Sequence, residues 1–165
     1  MKIIKLLLFL LYFSPHLSAE ISIQKDLEKG DSIPDFTIID ANGRIFHSRQ
    51  TEQFPTILVF FHTSCRDCQT ELPIIQEIKE TYPHPIRLIC ISRAEDDASI
   101  RSFWKQNRLS LRYSAQQDKR IFQLFARKTI PRIYIVSSQG IITSRYKGKV
   151  SKRKILRGLR KALNA

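Results

Sequence analysis

The chain has 165 residues, 42% of them hydrophobic and only five of them glycine, with no internal repeat, low-complexity tract or interdomain linker. That length suits one compact domain with a real core and excludes a repeat array or a multidomain assembly. The net charge of +13 is unevenly placed: residues 1–118 hold 14 of the 28 Lys and Arg and all 15 acidic residues, while residues 119–165 hold 14 basic residues and no acidic one.

At the amino end, Lys2 and Lys5 flank the start of a short apolar run, Leu6 to Phe13, followed by Ser14-Pro15-His16-Leu17-Ser18-Ala19. This is the pattern of an export signal cleaved after Ala19. A spanning helix needs about 20 apolar residues, so an uncleaved membrane anchor is the alternative rather than the expectation. The expected division is a signal peptide over residues 1–19 and one domain over residues 20–165. No cysteine near the cleavage point offers a lipid acceptor. Export, with the periplasm as destination, carries the chain to where disulfides persist.

After a polar lead-in, Gly30 to Phe36 introduces Thr37-Ile38-Ile39-Asp40, and Asn42-Gly43 separates it from Arg44-Ile45-Phe46. Asn-Gly between apolar runs predicts a hairpin. Thr56 to Phe61 is a continuous apolar run of strand type, expected at the centre of a sheet. Beyond it Leu72, Ile75, Ile78 and Tyr82 recur at helical spacing, with Pro73 inside and Pro83-His84-Pro85 as the stop. Ile86 to Ile91 is a second apolar strand and contains Cys90. A helix over 97–107 is predicted through Ile100, Phe103 and Trp104 with Asp97 as cap. A third helix is predicted with Asp118 as cap and Ile121, Phe122, Leu124 and Phe125 on its face. Ile133 to Val136 and Ile141 to Tyr146 flank the turn Ser137-Ser138-Gln139-Gly140, an antiparallel hairpin. From Ser151 a basic amphipathic helix places Ile155, Leu156, Leu159 and Leu163 on one face. Its apolar face is expected to dock on the sheet, with membrane or partner contact as the alternative.

The chemistry sits at Cys65-Arg66-Asp67-Cys68, directly after the buried strand and at the start of a helix. Unsatisfied amide donors and the positive end of the helix dipole stabilise a thiolate on the first cysteine. Cys65 is therefore the expected nucleophile, and Cys68, one turn later, the thiol that resolves the mixed disulfide. A C-x-x-C can also be half of a zinc site, but His47, His62 and His84 show no second paired spacing, so no metal is expected. Arg66 favours the thiolate and Asp67 opposes it. Cys90 reads as a small buried hydrophobe and Trp104 as core. His62 could move protons but reads as a partly exposed loop residue.

Phe60-Phe61-His62-Thr63-Ser64-Cys65-Arg66-Asp67-Cys68-Gln69-Thr70-Glu71-Leu72-Pro73 resembles the FWATWCxPCxxELP motif of TlpA-like or ResA-like thioredoxin-family proteins. The lead-in from Gly30 to Phe36 resembles that family's GDxAPDF, and Thr129-Ile130-Pro131 stands where the family carries its cis-proline, so the likeness covers about residues 28–163. It implies an α/β thioredoxin-like fold, a central mixed sheet flanked by helices with an N-terminal β-hairpin extension. By the same resemblance Pro131 faces the cysteines and Ile130 offers backbone hydrogen bonds to a substrate chain. Glu95 takes the place of an acidic residue that tunes the cysteines in related proteins, its other reading being a solvated loop carboxylate. Two positions depart from the pattern: Ser64 replaces a tryptophan and Asp67 a proline.

The function implied is an exported thiol-disulfide oxidoreductase working through a Cys65-Cys68 couple with no further cofactor, and the family tilts the direction toward reduction. Partners are then exported thiol or disulfide proteins and a membrane or periplasmic electron donor. The basic carboxyl-terminal region could also contact an anionic membrane surface. Nucleic acid is not expected, because basic and aromatic residues are not interleaved. One alternative is a non-catalytic binding module in which the disulfide is a staple. Another is a peroxiredoxin-like peroxidase, although the PxxxTxxC pattern of that chemistry would put Leu58 and His62, or Phe61 and Cys65, at its Pro and Thr positions.

Overall fold

The computed structural model describes residues 25–50 and 54–165; the export signal expected over residues 1–19 lies outside the described residues. The run Thr56–Phe61 forms a strand, β3, with every residue buried. β-branched and aromatic residues without polar alternation suit a strand covered on both faces. The two short strands ahead of it, β1 (Thr37–Ile39) and β2 (Ile45–His47), pair antiparallel as a separate hairpin in which Ile38 faces Phe46. At its turn Gly43 has φ +76, and the Asp40 carboxylate accepts the amides of Asn42 and Arg44.

β3 pairs parallel with β4 (Arg87–Ser92), and the crossover between them is helix α1 (Arg66–Thr81). Parallel neighbours require such a crossover. On its other side β3 pairs antiparallel with β6 (Arg132–Val136), which turns back into β7 (Ile142–Lys147). The five-stranded order is β5-β4-β3-β6-β7, where β5 is Tyr113–Ser114. A mixed sheet with β3 at its centre is thus observed.

Alternation along β3 divides the core into two layers. Ile57, Val59 and Phe61 face α1, helix α2 (Asp97–Gln106) and helix α4 (Lys152–Leu163), meeting Leu72, Ile75, Ile100, Ile155 and Leu159. Leu58 and Phe60 face the lead-in, the hairpin and helix α3 (Arg120–Gln123), meeting Phe36, Phe46, Phe122 and Phe125. α4 docks through Ile155 and Leu159 of the apolar stripe that its sequence displays, joined by Ala162, whereas Leu156 is half-buried and Leu163, in the last turn, is exposed. Gly158 permits the close approach, since a Cβ there would stand 2.6 Å from Ile135 Cδ1.

Three details differ from the sequence expectation. α2 is capped by Asp96, whose carboxylate accepts the Ser99 amide at 2.9 Å, so Asp97 is the first helical residue rather than the cap. α3 is a single turn, because Phe122 and Phe125, three residues apart, both reach the core without a longer helix. Asp118 accepts the Arg120 amide at 2.8 Å but lies outside the helix. The two-residue β5, which the sequence does not announce, adds to the β4 edge through Cys90 opposite Tyr113.

Candidate active site

β3 delivers the chain to the cysteines and α1 receives it. Cys65 is the N-cap of α1, and its Sγ accepts the Cys68 amide at 3.4 Å. A sulfur aimed at a helix N-terminus is placed where negative charge is stabilised. The same Sγ lies 3.7 Å from the Ile130 carbonyl oxygen, and the following Ile130–Pro131 peptide is cis. The structure therefore brings Cys65, Cys68, Ile130 and Pro131 together.

The two thiols differ in access. Cys65 is partly exposed and Cys68 is buried. Burial pushes the Cys68 thiol far up, with the Cys65 hydrogen bond, the Cys65 charge and the Asp67 carboxylate adding to it and a backbone contact at His62 opposing it. Asp67 is drawn aside by Lys149, 3.7 Å away, and Arg66 points to solvent. Complete burial likewise pushes the Cys90 thiol up, and in β4 it stands in register between Val59 and Tyr113.

The loop carrying Cys65 is fastened by Glu95, which follows β4. The Thr63 amide donates to Glu95 Oε2 at 2.9 Å and the Thr63 hydroxyl donates to Oε1. Glu95 is only 7% exposed, so the reading as a solvated loop carboxylate fails: both oxygens are occupied beneath the loop. The Ser64 amide lies 3.2 Å from His62 Nδ1, and Ser64 Oγ lies 3.0 Å from the same nitrogen. Glu95 Oε2 stands 3.6 Å from the same nitrogen. The Cys65 amide closes the turn on the His62 carbonyl at 3.0 Å.

The facing loop, 127–131, is fastened by an ion pair. Arg132, the first residue of β6, is 1% exposed and donates through Nη2 to Asp26 and to the Lys128 carbonyl. Its Nε donates to the Thr129 carbonyl at 3.4 Å, and Asp26 Oδ1 accepts the Arg127 amide at 2.9 Å. Burial alone would raise the Asp26 carboxyl, but the Arg127 amide and the Arg132 and Arg145 guanidiniums hold it below its usual value. Arg132 was detectable in sequence as a charge opening an apolar run beside Pro131; Asp26 carries no such signal.

Glu71, three residues past Cys68, is another group that motif reading passes over. It is buried, its Oε1 accepts the Val150 amide at 2.9 Å, and its Oε2 has no partner among the described residues. Burial raises its carboxyl, Asp67 adds to this, and the Val150 amide and Lys149 oppose it. A carboxylate immediately before Leu72, inside an apolar helical stripe, was the available clue. Among the described residues no three His, Cys, Asp or Glu side chains gather as metal ligands.

A family model described as AhpC/TSA matches residues 29–145. Among curated relatives, thiol-disulfide oxidoreductase ResA of Bacillus cereus is 22% identical over 141 residues, 85% of this chain and 82% of its own length. The methylamine utilization protein MauD of Paracoccus versutus is 31% identical over 134 residues, 81% of this chain and 64% of its own. A thiol:disulfide interchange protein of the thioredoxin family from Chlorobium tepidum has a solved structure that superimposes with TM-score 0.70 at 19% identity, covering 84% of this chain and 99% of that one. The fold is thioredoxin-like, with the hairpin β1–β2 as its amino-terminal addition.

Proposed function

The chain belongs to the AhpC/TSA family, and on that premise we propose that it is an exported thiol-disulfide oxidoreductase that reduces or exchanges disulfides of exported proteins through Cys65 and Cys68. The observation that carries the reading is the position of Cys65 Sγ, 3.4 Å from the Cys68 amide and 3.7 Å from the carbonyl that precedes the cis-proline.

The Cys65 thiolate attacks one sulfur of a client disulfide, a Cys65–client bond forms, and the client's other sulfur leaves as a thiolate that takes a proton. Cys68 then loses its proton and attacks Cys65 Sγ, forming the Cys65–Cys68 disulfide and releasing the second client thiol. Two electrons pass from the dithiol to the client, and a dithiol donor at the membrane or in the periplasm restores the pair. Burial of Cys68 keeps it protonated until Cys65 is engaged, so only one sulfur meets the client. Ile130 offers its backbone to the client chain beside Pro131. Glu95 positions the Cys65 loop through Thr63, while the Asp67 carboxylate adds to the upward push on the Cys68 thiol.

Names of relatives such as ResA support this reading and its tilt toward reduction. Location in the periplasm, or retention there through an uncleaved signal, belongs to the same proposal; no described helix is long and apolar enough to cross a membrane. Equilibration of the protein with glutathione buffers, followed by thiol counting, tests it. A reversible two-electron couple confined to Cys65 and Cys68, with client proteins trapped on Cys65 in Cys68→Ser, is the expected result. An inert pair would leave only a structural staple. The AhpC/TSA membership keeps a peroxidase in view as the second reading, and consumption of hydrogen peroxide by the reduced protein at a rate exceeding disulfide exchange would favour it.

A further inference from the structure

At the β7 edge of the sheet, β7, α4 and the lead-in residues Glu28 and Lys29 line a groove of about 440 Å³. It contains none of Cys65, Cys68, Ile130 and Pro131, and touches the fastening of the proline-side loop only through Arg145, 4.0 Å from Asp26. The groove is lined by Lys29, Arg145, Lys154, Arg157 and Lys161, against which Glu28 is the one carboxylate. Glu28 is already paired with Arg145 at 2.8 Å. Lys29, Lys154, Arg157 and Lys161 form no ion pair among the described residues, and all four are exposed.

The clustering follows from helix geometry. Lys154, Arg157 and Lys161 stand at i, i+3 and i+7 on α4, so their side chains share one face. Like charges at such spacings disfavour the helix, and α4 has no acid in its first turn to offset them. Nothing in the folding of α4 calls for this arrangement, because its docking is accomplished by Ile155, Leu159, Ala162 and Gly158 on the other side. The walls are fixed: the Tyr146 hydroxyl donates to the Lys154 carbonyl at 2.7 Å, and Gly158 brings the helix down onto Ser144 and Tyr146. A groove lined by four cations that have no ion pair among the described residues suits an oxyanion of multiple charge.

We infer that the groove between β7 and α4 is a binding site for phosphate-bearing anions, supplied either by a soluble phosphate compound or by the headgroups of an anionic phospholipid surface. The site acts independently of disulfide exchange, and its failure would leave the redox reading untouched.

The full chain is titrated with pyrophosphate by calorimetry at low and physiological ionic strength, and is co-sedimented with vesicles of phosphatidylglycerol or of phosphatidylcholine. Binding of pyrophosphate without preference for phosphatidylglycerol identifies a soluble ligand, and preferential sedimentation with phosphatidylglycerol identifies headgroups. Lys154→Gln/Arg157→Gln/Lys161→Gln is expected to weaken the observed binding about a hundredfold, as three surface cations near anionic phosphates should. The control Lys105→Gln/Arg108→Gln/Lys119→Gln removes the same charge elsewhere and is expected to keep binding within about twofold of the parent. Both triples alter exposed side chains, and their melting curves and exchange rates report that the fold is intact. Absence of binding to either probe, or equal loss in the two triples, overturns the proposal.

Discussion

The two loops that meet at Cys65 are held by different physics. The cysteine-side loop, 62–65, is fixed by hydrogen bonds to one buried carboxylate, Glu95, and by the small turn that Ser64 makes on His62. The proline-side loop, 127–131, is fixed by a buried guanidinium, Arg132, whose counter-charge arrives from Asp26 in the lead-in. Hydrogen bonds to a single acceptor tolerate partial replacement, whereas a buried charge deprived of its partner is left desolvated and uncompensated. The difference teaches that the Ile130 carbonyl beside Cys65 Sγ depends on a residue far away in sequence, while Cys65 itself depends on near neighbours in the fold.

Asp26→Asn is the sharpest test of that contrast and carries the largest expected effect. It should cost about 3 kcal/mol, the lower end for breaking a buried pair, because Asp26 keeps 25% of its side chain exposed while Arg132 keeps 1%. Denaturant unfolding measures it, and Asp26→Asn/Arg132→Met should recover part of the loss. The pH dependence has a definite sign. A carboxyl held below its usual value stabilises the fold above the ordinary Asp pKa of about 3.9 and loses that contribution as pH falls through its lower folded value. The gap between parent and variant should therefore close under acid.

Glu95→Gln should have the next largest effect. The amide oxygen still accepts one Thr63 donor, but its NH2 now faces the other, with an expected cost of about 1.5–3 kcal/mol in loop stability. Stopped-flow exchange with a small disulfide should slow about tenfold while the global melt moves less than in Asp26→Asn. A larger global than local effect would break the comparison. His62→Ala is expected to be mildest, about 0.5–1 kcal/mol, since it removes a half-buried ring whose contacts are the Ser64 turn and a 3.6 Å approach to Glu95. Hydrogen exchange at the Ser64 amide would report it.

Much of the scaffold was legible because its signals are local. Thr56 to Phe61 shows a buried strand by composition, Asn42-Gly43 a turn by backbone preference, and Ile155 and Leu159 a docked helix face by period. β5 was not legible, since two residues become a strand only when the β4 edge is there to receive them. α3 read longer than it is because apolar spacing marks which residues are buried, not how many turns carry them. At the site, the cysteine motif is compact in sequence and so is visible. The fasteners are less so: only the family resemblance singles out Glu95 from Asp96 and Asp97, and its hold on the loop appears only when the Thr63 donors come down over it. Arg132 and Asp26 are more than 100 residues apart, beyond any periodicity.

The burial of Cys90 leads in another direction. If the chain is exported as proposed, its three cysteines can close any of three bridges while it is unfolded, two of which involve Cys90. Once β4 is paired on both sides, Cys90 is withdrawn from that competition and only the Cys65–Cys68 closure remains accessible. The risk of mispairing is thus confined to the interval before the central sheet forms, and the yield of correctly bridged protein becomes a race between strand assembly and thiol oxidation.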